Sequence, residues 1–239
     1  MERPTLLLIR PKQASERFAA QFRARFGADW PVVIAPLMRT VWLNPKIDAD
    51  AADGVIFTSE TAVQAFVRHS PDRRLQAWCV GPRTAQSAND AGFCVVQGPG
   101  DAPGLVRKIL DGGRGMRLLY VHGVHVAHDI EEMLFSTGIE TVSVTAYDQR
   151  PMELSSKARV LLRSDGPVIL PLFSRRSARL LAAQVGSDCV APIWIAALSP
   201  EVAETANGLK PAKLLVSMRP DSEAILEVMQ HFANPAALA

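Results

Sequence analysis

The segment Val55-Ile-Phe-Thr-Ser-Glu-Thr-Ala-Val-Gln-Ala-Phe66 has the pattern of a buried strand, a turn marked by serine and a helix. A second strand and a helix that begins with proline follow in Trp78-Cys-Val-Gly-Pro-Arg-Thr-Ala85. The same order returns in Val168-Ile-Leu-Pro-Leu-Phe-Ser-Arg-Arg-Ser-Ala-Arg-Leu-Leu181 and in Trp194-Ile-Ala-Ala-Leu-Ser-Pro-Glu-Val-Ala203. An internal repeat of this kind predicts two similar α/β domains. Because ligand sites favour the interfaces of domains, we expect the active site in a cleft between them.

The fold class expected from this pattern is α/β, with two similar doubly wound parallel five-strand sheet domains. The middle of the chain supplies five strands by itself, whereas the opening segment supplies two and the closing segment three. We therefore predict a discontinuous domain 1 of residues 1–37 and 149–239, with residues 38–148 inserted into it as domain 2. The two crossings form a two-stranded hinge, which would allow the domains to open and close.

Composition narrows the class of protein. The chain has 239 residues, a formal net charge of +2 and 6% aromatic residues. Nucleic-acid binding would need clustered basic residues and aromatic platforms, which this composition does not favour. The longest apolar run, Cys189 to Leu198, is interrupted by Pro192 and is about half as long as a membrane span requires. We expect a cytoplasmic monomer that acts on a small molecule and binds neither nucleic acid nor membrane.

Three cysteines, Cys79, Cys94 and Cys189, each lie in an apolar run with the pattern of a strand. Their wide separation and odd number favour buried thiols over disulfides or metal ligands.

Two further features resemble cofactor or metal sites. The glycine-rich runs 98–100 and 112–115 lack the frame of a phosphate-binding loop, so we interpret them as turns. His122, His125 and His128 follow a strand at intervals of three residues. No set of ligands with known spacing completes them, which favours a polar loop, and a metal-dependent enzyme stays as an alternative. We expect no metal and no cofactor.

Polar side chains and Gly-Pro turns stand where predicted strands meet predicted helices. In open parallel sheets these ends bind ligands, and the helix starts present backbone N–H donors. Each helix start contributes only about 0.3 to 1 kcal/mol towards an anion, so the arrangement suits a ligand with many carboxylates. The alternative is that the serines are N-caps and the arginines are solvated surface residues. The candidate substrate-binding residues are Arg10, Thr58, Ser59, Gly81, Pro82, Arg83, Thr84, Ser174, Arg175 and Ser199.

Tyr147 is the candidate catalytic residue. It ends the fifth strand of domain 2, where the chain returns between the domains, so its hydroxyl is expected in or near the cleft. The alternative is an aromatic ring that packs on a helix.

Together these residues resemble the uroporphyrinogen-III synthase family over nearly the whole chain. The resemblance rests on the order of short motifs: Leu-Ile-Arg10-Pro11, Ala35-Pro36-Leu37, Phe57-Thr-Ser59 with Ala62-Val63, Val80-Gly-Pro-Arg-Thr-Ala85, Tyr147, Phe173-Ser174 and Ser-Pro200. Two loops depart from it. The turn at Ser199-Pro200-Glu201-Val202-Ala203 replaces a common Gly-Pro-x-Thr-Ala, and His122-Gly123 replaces a common Arg-Gly.

The resemblance implies a lyase of haem biosynthesis that needs no cofactor. Its substrate would be hydroxymethylbilane, a linear tetrapyrrole with eight carboxylates. The bilane closes to uroporphyrinogen III with loss of water and inversion of the terminal ring, through azafulvene and spiro intermediates. Without an enzyme the bilane closes to the isomer that lacks the inversion. Tyr147 would act as general acid on the departing hydroxyl. A non-catalytic two-lobe sensor of a polyanionic metabolite stays as the alternative function.

Overall fold

The computed structural model describes residues 3–126 and 130–233, and its contacts divide the chain into two compact units. Unit 1 consists of Met1–Arg39 and Arg150–Ala239, and unit 2 consists of Thr40–Gln149.

The described residues form strands and helices in regular alternation. The strands are β1 (Thr5–Leu8), β2 (Val32–Ile34), β3 (Met38–Trp42), β4 (Gly54–Phe57), β5 (Gln76–Cys79), β6 (Cys94–Gln97), β7 (Leu118–Gly123), β8 (Thr141–Pro151), β9 (Val168–Leu172), β10 (Ile193–Ala197) and β11 (Lys213–Val216). The α-helices are α1 (Lys12–Phe26), α2 (Glu60–His69), α3 (Pro82–Asp90), α4 (Ala102–Gly112), α5 (Ile130–Phe135), α6 (Ser156–Leu162), α7 (Arg175–Ala182), α8 (Pro200–Ala206) and α9 (Ser222–Ala233). A 3₁₀ turn, Asn207–Leu209, follows α8.

The sheet of unit 1 contains five parallel strands in the order β11-β10-β9-β1-β2. Successive residues of β1 point to opposite faces of the sheet. Leu7 belongs to the core beneath α6, α7 and α8, whereas Leu6 and Leu8 belong to the core beneath α1 and α9. Because both faces are covered, Leu6, Leu7 and Leu8 are all apolar instead of alternating with polar residues.

The sheet of unit 2 has six strands, in the order β3-β8-β7-β4-β5-β6, where the sequence predicted five. Strands β4 to β8 form parallel pairs, which confirms the α/β fold class. The additional strand is β3. The N–H of Met152 donates to the carbonyl of Leu37 over 2.8 Å, and the N–H of Leu43 donates to that of Ala146 over 3.0 Å. Leu37 pairs with the later residue Met152 and Leu43 with the earlier residue Ala146, so β3 is antiparallel to β8.

The sequence missed β3 because its signal is weak. It is an edge strand whose residues after Met38 are partly or fully exposed, so it lacks the apolar run that marks the central strands.

The prediction of three buried thiols is wrong for two of them. Cys79 is buried at the end of β5, but Cys94 is exposed and Cys189 is only half-buried. Cys94 begins β6, the edge strand of unit 2, and Cys189 lies in a turn outside the strands. An apolar run in the sequence does not distinguish an edge strand or a turn from a central strand.

Among residues 3–126 and 130–233, no helix is both long and apolar enough to cross a membrane.

Candidate functional site

The strand order reverses once in each sheet, and candidate residues stand at both reversals. In unit 1, β1 is followed by β2 on one side of the reversal, and β9 is followed by β10 and β11 on the other. In unit 2, β4 is followed by β5 and β6 on one side, and β7 is followed by β8 on the other. Ligands of open α/β sheets bind at such switch points, outside the carboxyl ends of the strands. Arg10 and Ser174 follow β1 and β9, whereas Ser59 and Gly123 lie at the ends of β4 and β7.

In unit 2 the hydroxyls of Tyr147 and Ser59 lie 3.0 Å apart. Ser59 is the N-cap of α2, and its Oγ accepts the N–H of Ala62 over 3.1 Å. Either hydroxyl can be the donor of this bond, and when Ser59 donates to the Tyr147 oxygen, the phenolic proton of Tyr147 is free to be donated to a ligand. Thr58 precedes this pair and is half-buried.

Tyr147 has a buried ring and a hydroxyl in contact with Ser59. Only 8% of the residue is exposed, and its ring packs in the core with Val144 and Ala146. Burial raises the pKa of the phenol, and the hydrogen bonds with Ser59 and the Gly123 backbone offset this in part. The hydroxyl is therefore protonated throughout the neutral range, as a general acid requires.

The turn before α3 depends on close contact between two backbones. Gly81 is the N-cap of α3, and a Cβ on it would lie 3.0 Å from the Cα of Gly100. The N–H of Gly100 donates to the carbonyl of Val80 over 2.7 Å. The glycine-rich run at residues 98–100 is thus a connection packed against this helix start. Pro82 and Arg83 are exposed here, whereas Thr84 is only 5% exposed.

In unit 1 an aromatic ring supports Arg10. Its guanidinium carbon lies 3.8 Å from the centre of the Phe173 ring, which meets Phe18 edge to face at 5.3 Å between centroids. The buried hydroxyl of Ser15 donates to the Arg10 carbonyl over 2.9 Å. Packing against the ring limits the conformations of the Arg10 side chain and so restricts the directions of its N–H donors.

Ser174 and Ser199 are N-caps, as the alternative interpretation expected. Ser174 accepts the N–H of Ser177 over 3.1 Å and donates to the hydroxyl of Ser177 over 2.9 Å. Ser199 accepts the N–H of Val202 over 3.4 Å and donates to the carboxylate of Glu201. Since these hydroxyls are engaged within the helix starts, a ligand at either would be bound mainly through backbone N–H groups of the first turn.

Glu201 was not among the predicted site residues, yet it stands beside one. The hydrogen bond from Ser199 lowers the pKa of its carboxyl, with a smaller contribution from the charge of Arg175, which is exposed. An ionised carboxylate at this helix start opposes the binding of an anion there.

The histidine run shows contacts within the protein. Nδ1 of His122 lies 2.8 Å from the carbonyl of Gly123, and the ring lies 4.7 Å from that of Tyr120. Nε2 of His125 lies 3.8 Å from Oδ1 of Asp148. His128 falls outside the described residues. In the part of the chain that is described, no three His, Cys, Asp or Glu side chains are grouped as metal ligands.

Sequence reasoning missed Gly123 and Phe173 as parts of the site. The available signal for Gly123 was a glycine at the end of a strand pattern, which often marks a close approach of another group. For Phe173 the signal was an aromatic residue directly before Ser174.

Comparison with known proteins adds to this geometry. Residues 16–227 match the model of a family described as uroporphyrinogen-III synthase HemD. The chain belongs to the uroporphyrinogen-III synthase family. A uroporphyrinogen-III synthase from Chlorobaculum parvum is 28% identical over 170 residues, which cover 65% of this chain and 68% of that one. Family membership makes the chain an enzyme of tetrapyrrole biosynthesis.

Two solved structures share the fold of this uroporphyrinogen-III synthase family member. The uroporphyrinogen-III synthetase of Helicobacter pylori has a TM-score of 0.69 at 15% identity and covers 97% of this chain and 100% of its own. A mutant uroporphyrinogen III synthase of the extremely thermophilic bacterium Thermus thermophilus has a TM-score of 0.58 at 13% identity. The match covers 99% of this chain and 100% of the Thermus chain. At these identities the structures support the fold alone.

Proposed function

We propose that the chain converts hydroxymethylbilane into uroporphyrinogen III, with inversion of the terminal pyrrole ring and loss of water. The observation that carries this proposal is the 3.0 Å contact between the Tyr147 and Ser59 hydroxyls at the switch point of unit 2. The contact would supply an oriented acid near the carboxyl ends of the strands, where ligands of such sheets bind. The chain is also a member of the uroporphyrinogen-III synthase family.

The carboxylates of the substrate would contact the strand ends of both units. Backbone N–H groups at the starts of α2, α3, α7 and α8 would bind acetate and propionate arms, because helix starts favour anions. Arg10, held over Phe173, would add a charge-assisted pair. Thr58, Arg83 and Arg175 complete the proposed contacts, and many weak contacts of this kind suit a flexible polyanion.

Tyr147 would act at the first chemical step. Its hydroxyl protonates the departing hydroxide, so water leaves while the pyrrole nitrogen supplies electrons and a protonated azafulvene forms. The substituted α-carbon of the last ring attacks this electrophile and gives a spiro intermediate. The bond from that carbon to its original methylene bridge then breaks, and the released methylene is attacked by the free α-carbon on the other side of the ring nitrogen. Loss of the proton on that carbon restores the pyrrole and returns a proton to the Tyr147 phenolate.

Selection of one folded form of the bilane would account for the product. Spontaneous closure gives the isomer without inversion, so the protein must hold the bilane in the alternative conformation. A tenfold bias between the two outcomes corresponds to about 1.4 kcal/mol.

The experiment that tests the function supplies freshly made hydroxymethylbilane to the purified chain and identifies the isomer formed. We expect isomer III without added metal. Isomer I alone, formed at the spontaneous rate, would refute the function. Size-exclusion chromatography at assay concentration tests the proposed monomer, and fractionation of the source cells tests the proposed cytoplasmic location.

The role of Tyr147 is tested by Tyr147→Phe, with Tyr120→Phe as the matched control in a separate core of the same unit. Loss of a general acid should lower kcat by roughly 10²-fold or more, and the control should retain activity. Full activity and isomer purity in Tyr147→Phe would show that the hydroxyl has no part in the reaction.

A further inference from the structure

We propose that a β-bulge at Ala146 and the missing side chain of Gly123 together direct the Tyr147 ring across β7 to Ser59. Gly123 is thereby a positioning residue for the reaction, an assignment that rests on the function proposed above.

The bulge sets the face of the sheet on which Tyr147 lies. Along β7 and β8, His122 pairs with Thr145 but Gly123 pairs with Tyr147, so Ala146 is an extra residue. Side chains of a strand alternate between faces, and an extra residue inverts the alternation beyond it. Val144, Ala146 and Tyr147 accordingly all belong to one core, although strict alternation would put Tyr147 on the opposite face.

Gly123 provides the space through which the ring passes. Strand β7 lies between β8, which carries Tyr147, and β4, which leads into Ser59. A Cβ on Gly123 would lie 2.5 Å from Cε2 and 2.8 Å from Cζ of the Tyr147 ring. Even the methyl group of alanine would therefore displace the ring.

The glycine is needed for this space and not for an unusual backbone angle. Five glycines among the described residues have a positive φ, and Gly123 is not one of them. Its neighbour Val124 donates its N–H to the carbonyl of Tyr147 over 2.9 Å, which continues the β7 to β8 pairing beyond the bulge. The backbone on both sides is thus held, and the ring is the part that must yield.

The first test reads the position of the phenol without any substrate. Tyr120 and Tyr147 are the only tyrosines of the chain, so a Tyr120→Phe background leaves one tyrosine to follow by near-ultraviolet absorbance during a pH titration. We expect Gly123→Ala to shift the titration of Tyr147 down towards the ordinary tyrosine value of about 10, since a displaced ring is more exposed. Gly208→Ala, whose Cβ would meet only Ala182 at 3.9 Å, should leave it unchanged. An unshifted titration in Gly123→Ala overturns the proposal.

The second test is a double-mutant cycle on stability. Gly123→Ala should lower the melting temperature by roughly 2 to 10 °C, as expected for overpacking in a domain of this size. In a Tyr147→Ala background the added methyl has room, so the same change should lower it far less. An equal loss in both backgrounds would show that the glycine serves the backbone and not the ring.

The third test connects position with catalysis. Gly123→Ala should lower kcat on the order of 10²-fold with little change in KM, because a displacement of about 1 Å can have that effect. Added to Tyr147→Phe, it should lower kcat no further, whereas an equal further loss argues against action through the hydroxyl. If Tyr147→Phe is itself fully active, the proposed chemistry fails, while the titration and the stability cycle still decide whether Gly123 positions the ring.

Discussion

Single residues at the carboxyl ends of the strands should affect how well an anion binds there. Ser199 stands at a helix start that would otherwise favour a carboxylate, but its hydroxyl donates to Glu201. The carboxylate therefore occupies the donor and repels like charge. We therefore expect this turn, one of the two loops that depart from the common motif, to contribute little to the proposed binding.

Replacing Glu201 by Gln should strengthen substrate binding. The change removes a negative charge near Arg175 and Ser199 while keeping the size of the side chain. We expect KM for hydroxymethylbilane to fall about two- to fivefold at low ionic strength, with kcat nearly unchanged. Glu204→Gln on the same helix is the control. A KM unaffected by Glu201→Gln would show that the start of α8 does not contact the substrate.

The cysteines should differ in reactivity. Burial raises the pKa of the Cys79 thiol to about 12, whereas Cys94 is exposed. In the folded protein a thiol reagent should modify Cys94 and leave Cys79 intact, and all three cysteines should react after denaturation. Peptide mapping after brief labelling checks this. Rapid labelling of Cys79 under native conditions would contradict the buried position of β5.

The same thiol predicts a dependence of stability on pH. Its pKa is raised above the ordinary value of 9.0, so the folded state favours the neutral form. The stabilisation is complete below about pH 9 and is lost as pH rises towards 12. The unfolding free energy should therefore fall over this window, and less steeply in Cys79→Ala. Equal slopes for the two proteins would contradict the assignment.

At the scale of elements, helix starts serve both stability and the proposed binding. Ser59, Ser174 and Ser199 cap helices directly after strands, whereas Ser155 caps α6 after a longer connection. In all four the serine Oγ accepts the N–H of the residue three positions further on, so stability alone does not distinguish a binding turn from a structural one. The distinction comes from the position of the turn in the sheet.

A matched pair of cap variants separates these roles. Ser174→Ala and Ser155→Ala should each reduce the unfolding free energy by about 1 kcal/mol. Only Ser174→Ala should also raise KM, because loss of the cap loosens the first turn of α7, whose backbone N–H groups at the carboxyl end of β9 would bind the substrate. Chemical denaturation and steady-state kinetics measure the two effects. An equal change of KM in both variants would argue against a binding role for the start of α7.

At the scale of the whole molecule, unit 2 is continuous in sequence and unit 1 is not. Unit 2 has its own sheet with a core on each face, so it contains what an independent domain needs. Unit 1 must pair β1 with β9 across the inserted segment, and its sheet forms only when distant parts of the chain meet.

A fragment of residues 40–149 should fold without the rest of the chain. We expect far-ultraviolet circular dichroism of an α/β protein and one cooperative unfolding transition. Phe57→Ala should reduce its stability by about 3 to 5 kcal/mol, because this ring is fully buried against Phe66 and Phe93. A fragment without a cooperative transition would show that unit 2 depends on unit 1.

Most of the fold follows from local pattern. The apolar runs of β4 and β9, the serines after them and the repeat of this order predict the parallel sheets, because a strand buried on both faces carries that signature. The same patterns mark Ser59 and Ser174 as helix starts. They do not indicate β3, whose pairing with β8 depends on a segment about 100 residues away in sequence.

Local periodicity and turn chemistry are enough to predict the α/β class, the repeat and the residues that stand at strand ends. The tertiary structure instead sets the direction of Tyr147, the space at Gly123 and the contact of the Glu201 carboxylate with Ser199. A bulge exists only relative to a partner strand, and one extra residue inverts the face of every side chain beyond it. No local pattern within β8 contains the register that its pairing with β7 imposes.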